Sequence, residues 1–126
     1  MTKPTESELS ILTVLWKDGP STVRHVNEKL NLERRVGYTN TLKMMQIMHE
    51  KGLLARDESE RSHIYSSAIE PEDVKRDLIA NMVNSVFEGN TSKLLVHALG
   101  NYRPSKDELK EIRDLLSKLE ENDTAN

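Results

Sequence analysis

Residues 34–54 read RRVGYTNTLKMMQIMHEKGLL, and the rest of the chain is organised around this stretch. Thr41, Met44, Met45 and Met48 recur at the 3.6-residue period, which predicts one helix from about Tyr38 to Glu50 with those four as its buried stripe. Tyr38, Thr39, Asn40, Lys43 and Gln46 then fall on the open side, with Leu42 and Ile47 at the flanks. A basic pair, Arg34-Arg35, and Gly37 lead in. Lys51-Gly52 ends the helix, because glycine takes the backbone conformation that closes a last turn at no steric cost. Methionines at this spacing are flexible core fillers and need no cofactor to explain them.

Upstream, Thr5-Glu6-Ser7-Glu8 has the spacing of a capping box, in which the first side chain and the fourth each satisfy the other's free backbone N–H. Leu9, Leu12, Val14, Leu15 and Trp16 follow as an apolar face, and Asp18-Gly19-Pro20 stops that helix. Ser21 is a candidate cap for a second helix whose apolar positions are Val23, Val26 and Leu30. Residues 31–36 make a polar connection. Downstream, 53–58 and 63–68 read as two short strands around a polar turn, Glu58-Ser59-Glu60-Arg61-Ser62. Three helices and a hairpin in this order predict a winged helix-turn-helix, with the hairpin as the wing. The expected fold class is mostly α with a small β-hairpin.

From Glu70-Pro71-Glu72-Asp73 a new helix starts, with proline at its first position and acids in its first turn. Val74, Leu78, Met82 and Val86 follow at spacings of four, and Gly89 closes it. Thr91 is read as the cap of a short helix carrying Leu94, Leu95 and Leu99 and ended by Gly100. Ser105 to Glu108 is a second capping box, opening a helix with Leu109, Ile112, Leu115, Leu116 and Leu119. The tail after Glu120 is expected to be disordered. These stripes are too short to cover one another, so a partner helix is expected on them, most simply the same segment of a second copy. The division expected is a winged helix-turn-helix domain over 1–69 and a helical dimerisation region over 70–126.

Composition narrows the function. The 126 residues are 36% hydrophobic and 4% aromatic, which allows a modest aliphatic core. The net charge is −3, unevenly spread: residues 1–68 hold 10 basic and 9 acidic side chains, residues 69–126 hold 8 and 12. Nucleic-acid binding must therefore rest on a local cluster of cations. There is no cysteine, which removes disulfides, thiolate metal sites and thiol nucleophiles. His25, His49, His63 and His97 are scattered without ligand spacing, so no metal is expected. No nucleophile–base set and no glycine-rich phosphate loop is present, so neither an enzyme nor a cofactor is expected. The opening MTKPTESEL carries no apolar run and no segment has the length of a membrane span, which predicts a cytoplasmic protein without membrane insertion.

The open side of the 38–50 helix carries chemistry suited to DNA. Asn40 can pair with adenine, and Lys43 can donate to guanine in the major groove. Gln46 shares that side. Thr39 can touch a thymine methyl or a phosphate, and Tyr38 can reach a phosphate oxygen. Arg34 and Arg35 are candidate phosphate anchors. Arg61 suits a wing lying along the backbone or the minor groove, its competing role being an ion pair with Glu58 or Glu60. Ser21 and Thr22 open the second helix, whose N-terminus could hold a phosphate.

Several of these stretches together resemble the penicillinase-repressor family, the BlaI/MecI/CopY type of bacterial transcriptional repressors. They are Glu6 to Trp16, Gly19-Pro20-Ser21-Thr22-Val23, Gly37 to Met48 with Glu50 to Leu54, Arg61-Ser62-His63-Ile64-Tyr65, and Gly89 to Leu99. The resemblance implies a homodimer that binds double-stranded operator DNA through its winged helix. It also implies a membrane sensor with a metalloprotease domain as the partner that triggers release by cleavage in the dimerisation region. The matching bond is His97-Ala98, where neither residue matches the family's Asn-Phe pair. The copper-responsive branch uses a cysteine-rich end that this chain lacks. Glu60 stands where a wing glycine is common, which predicts a looser turn.

The function expected is a dimeric repressor that reads an inverted-repeat operator through the helix at about 38–50 and the wing at about 58–63. Loss of dimerisation, by proteolysis or another signal, would release it. The alternative is a winged-helix protein-interaction module that does not bind DNA.

Overall fold

The computed structural model describes residues 3–124, as helices α1 (Glu6–Asp18), α2 (Val23–Leu30) and α3 (Tyr38–Glu50), strands β1 (Leu54–Asp57) and β2 (Ile64–Ser67), and helices α4 (Pro71–Ser85), α5 (Thr91–Asn101) and α6 (Lys106–Thr124). The chain divides into two compact units, 1–77 and 78–126. The division falls inside α4 rather than after residue 69, because Val74 in the first turns of α4 is buried to 3% exposure.

In the first unit, the capping box at Thr5 forms: the Glu8 N–H donates to Thr5 Oγ1 at 3.2 Å and the Thr5 N–H donates to Glu8 Oε1 at 2.9 Å. The helix it starts buries Ile11, Leu12 and Leu15, while Leu9, Val14 and Trp16 are partly covered. Ile11, outside the apolar face that the sequence predicts, is fully buried with them. α1 ends at Gly19, whose φ of +80° is open to glycine at no steric cost. α2 buries Val23, Val26 and Leu30, as their spacing predicts.

Ser21 does not cap α2. The cap is Thr22, whose side chain accepts from the His25 N–H at 3.1 Å. Ser21 is 7% exposed and exchanges backbone hydrogen bonds with Tyr65, at 2.9 and 2.8 Å, adding a one-residue third strand to the hairpin. A backbone group so placed must be paired, and the sheet edge offers the partner.

α3 buries Thr41, Met45 and Met48, with Met44 only partly covered. Fully covering a side chain of that size contributes about 1.5–3 kcal/mol. Past Lys51, Gly52 at φ +85° turns the chain, and the Leu53 N–H returns to the Met48 carbonyl at 2.9 Å. β1 and β2 pair antiparallel, Leu54 opposite Ser67 and Arg56 opposite Tyr65, each strand one residue shorter at either end than its sequence predicts. The wing turn spans 58–63 between the two strands. At its start the Asp57 carboxylate accepts from the Ser59 N–H at 2.9 Å, and no wing residue takes a positive φ.

Two polar contacts tie α1 to elements far along the chain. Trp16 Nε1 donates to Ser67 Oγ at 2.9 Å, fixing α1 on β2. Lys51 Nζ donates to Glu8 Oε2 at 2.9 Å, joining the end of α3 to the start of α1. Glu8 is 3% exposed. Burial pushes its carboxyl up, but the Thr5 backbone N–H and the Lys51 ammonium outweigh this and hold it below the ordinary 4.5.

In the second unit, α4 stops at Ser85, before Gly89. The turn after it runs through Glu88 at φ +53° and Gly89 at φ +77°, with the Gly89 N–H bonded to the Val83 carbonyl. The cap of α5 is Asn90, not Thr91: its side chain accepts from the Lys93 N–H at 3.2 Å. Gly100 does not end α5, which continues to Asn101, whose amide donates to the His97 carbonyl. The Ser105–Glu108 capping box forms at the head of α6. α6 runs to Thr124, so the residues just past Glu120 are helical, each further residue adding a hydrogen bond to a helix already nucleated. The last two residues lie outside the described ones.

Candidate nucleic-acid interface

α3 is held rigidly by one side. At about 100° per residue, Thr41, Met45 and Met48 share the side facing the core, and Thr39, Lys43 and Gln46 lie on the crest opposite. Tyr38, Thr39, Asn40, Lys43 and Gln46 are all exposed. The helix start is fixed from α2. Asn27 Nδ2 donates to Thr41 Oγ1 at 2.9 Å and to the Val36 carbonyl at 3.0 Å. Asn31 brackets the same Val36, accepting from its N–H at 3.1 Å and donating to its carbonyl at 2.9 Å. These two amides turn the polar connection expected over 31–36 into a clamped turn.

The candidate residues gather on two flanks of α3. One is a groove of about 390 Å³ between α2, α3 and the wing, lined by Thr22, Arg24, Tyr38, Gln46, Arg61 and His63, among others. The other, about 430 Å³, is lined by Arg34, Arg35, Asn40 and Lys43 together with Val36, Gly37, Met44 and Ile47. Ser21 is the candidate that the structure withdraws. It is buried, and its hydroxyl donates to the Gly19 carbonyl at 2.8 Å, so it is not offered to a phosphate.

Sequence reasoning misses Arg24 and His63. Nothing in the local pattern distinguishes them from ordinary surface residues; His63 is two positions from Arg61 on the wing, and only the tertiary fold brings Arg24 to the same groove. The competing role for Arg61 does not arise. Glu58 is taken by Arg56, whose guanidinium lies 2.6 Å from it and 6.0 Å from the centre of the Tyr65 ring. Among the described residues, Arg34, Arg35, Lys43 and Arg61 form no ion pair. Four unpaired cations thus lie on or beside the exposed side of α3, in a unit whose net charge is close to zero.

Residues 4–118 match the profile of the penicillinase repressor family. The chain belongs to that family. Its curated relatives include the methicillin resistance regulatory protein MecI of Mammaliicoccus sciuri, 21% identical over 89% of this chain and 91% of that protein. The transcriptional regulator BlaI of Mycobacterium tuberculosis is 29% identical over 95% of this chain and 87% of that one. Among solved structures, a MarR family protein from Bacillus stearothermophilus superposes with a TM-score of 0.51, covering 98% of this chain and 77% of that one at 21% identity. That likeness concerns the fold alone, a winged helix with further helices.

The remaining candidates lie in the second unit, where none of the described residues is buried. Met82, Val86, Leu95, Leu99, Leu109, Leu116 and Leu119 are each 38% exposed or more, and Leu78, Leu94 and Ile112 are half-covered. His97 and Ala98 lie within α5, and the His97 ring rests 5.5 Å from that of Phe87. Among the described residues no helix is long and apolar enough to cross a membrane, and no three His, Asp or Glu side chains converge as a metal site.

Proposed function

We propose that the protein is a dimeric transcriptional repressor of the cytoplasm that seats α3 in the major groove of an inverted-repeat operator and rests the wing on the adjoining backbone. The observation that supports this most directly is the uncovered polar crest of α3, held from behind by Thr41, Met45 and Met48 in a member of a repressor family. A helix about 10–12 Å across fits a major groove about 12 Å wide. Thr39, Lys43 and Gln46 then face base edges, with Asn40 toward the Arg34–Arg35 side.

Dimerisation is supported by the second unit, which leaves most of its leucines exposed. A second copy of the same segment is the partner whose stripes match. Two linked heads bind far more tightly than one, so separating them releases the operator. For the releasing signal, cleavage at His97-Ala98 by a sensor metalloprotease is one route. It requires α5 to open locally and a specificity other than Asn-Phe.

The experiment is selection of bound duplexes from a random pool, followed by mobility shift at one salt concentration. An inverted repeat should emerge, and the double variant Lys43→Ala, Gln46→Ala should bind it about a hundredfold more weakly, since each good base contact is worth ~1–3 kcal/mol. Failure to enrich any duplex would favour the protein-interaction reading. Unchanged binding by the double variant would remove α3 from the contact.

A further inference from the structure

Resting on the operator-binding reading, we infer that α3 lies between two separate backbone seats, one for each DNA strand, and that Arg24 of α2 anchors the strand on the wing side. Tyr38, Leu42 and Gln46 form one row along α3, beside Arg24, Arg61 and His63. Asn40, Lys43, Met44 and Ile47 form the other, beside Arg34 and Arg35. At about 100° per residue the two rows are centred roughly 150° apart, with Thr39 between them. A helix that fills the major groove presents such opposite flanks to its two walls, and those walls are the phosphates of different strands.

The charges fit this division. The wing is a poor seat by itself, because it carries Asp57, Glu58 and Glu60 within four residues of Arg61, and Arg56 is engaged by Glu58. Arg24 restores the balance, giving each flank two arginines. Its side chain is 84% exposed, and its ion partner, Glu28 at 3.5 Å, is 66% exposed. An i,i+4 pair so open to water holds its members weakly, so the guanidinium is free to exchange Glu28 for a phosphate.

The test uses the full chain on its selected duplex, measuring affinity by fluorescence anisotropy across a salt series. The slope of log affinity against log salt falls by ~0.9 for each phosphate that is no longer neutralised. Arg24→Ala, Arg61→Ala and Arg34→Ala, Arg35→Ala should therefore each lower it by about 1.8 per protomer, and Arg24→Lys should keep it. Scanning neutral methylphosphonates along each strand separates the two seats. Within one half-site, substitutions on one strand should weaken wild type but not the Arg24/Arg61 variant, and those on the other strand should weaken wild type but not the Arg34/Arg35 variant, the pattern exchanging strands in the second half-site. An unchanged slope for Arg24→Ala, or both pairs mapping to the same strand within one half-site, would overturn the inference while leaving operator binding intact. Wild type that binds no duplex would overturn both.

Discussion

The side-chain amide of Asn27, on α2, bonds the buried hydroxyl of Thr41 at 2.9 Å and the Val36 carbonyl at 3.0 Å. One residue of the supporting helix thus holds both the turn and the first turns of α3, and with them the angle at which α3 leaves the body of the domain. Asn27→Leu should lower stability by about 1–3 kcal/mol, the usual effect of stranding partly buried polar groups. Asn31 still satisfies the Val36 carbonyl, so the domain should fold. A looser α3 reads bases less well but keeps its cations. Affinity for the selected duplex should therefore fall more than affinity for random duplex, measured by competition. An unchanged ratio between the two would reduce Asn27 to a merely structural residue.

Glu8 and Lys51 make stability depend on acid in a predictable direction. The folded carboxyl titrates below its ordinary 4.5. Its contribution is therefore fully present above 4.5 and is lost as pH falls through the folded value. Denaturant titrations should show stability falling below that pH, more steeply in wild type than in Glu8→Gln, which keeps an acceptor for the Thr5 N–H but has no charge to lose. Lys51→Met should destabilise the protein near neutral pH, since it leaves a nearly buried carboxylate without its cation. Equal acid sensitivity in wild type and Glu8→Gln would place the titrating group elsewhere.

The leucines of α6 offer a separate test of assembly. Leu116 and Leu119 are 47% and 53% exposed. Replacing both with glutamate keeps good helix formers at exposed positions, so the helix itself should survive. Sedimentation should shift from dimer to monomer, and operator affinity should drop by a factor of about 10²–10⁴ as the two heads become independent. A variant that remains dimeric would move the interface off this face of α6.

The elements themselves are legible in the residues because their signals are local. The capping boxes at Thr5 and Ser105, the Gly52 stop and the Thr41/Met45/Met48 stripe depend on neighbours within a turn or two, and each appears where the pattern puts it. The same locality explains the errors. A serine after Gly-Pro looks like a helix cap, and only the presence of β2 beside it makes Ser21 a strand residue. Gly100 looks like a stop, yet the backbone continues helically through it.

The sequence by itself determined which faces of α1, α2 and α3 turn inward and which side of α3 stays polar, because a 3.6-residue period fixes a face without any knowledge of what covers it. Tertiary structure alone decided which residues meet, Trp16 with Ser67 across 51 positions and Lys51 with Glu8 across 43, and that Arg24 and Arg61 line one groove beside α3. Those meetings follow from closing one core around Ile11, Met45 and Tyr65, and no periodicity along the chain records them.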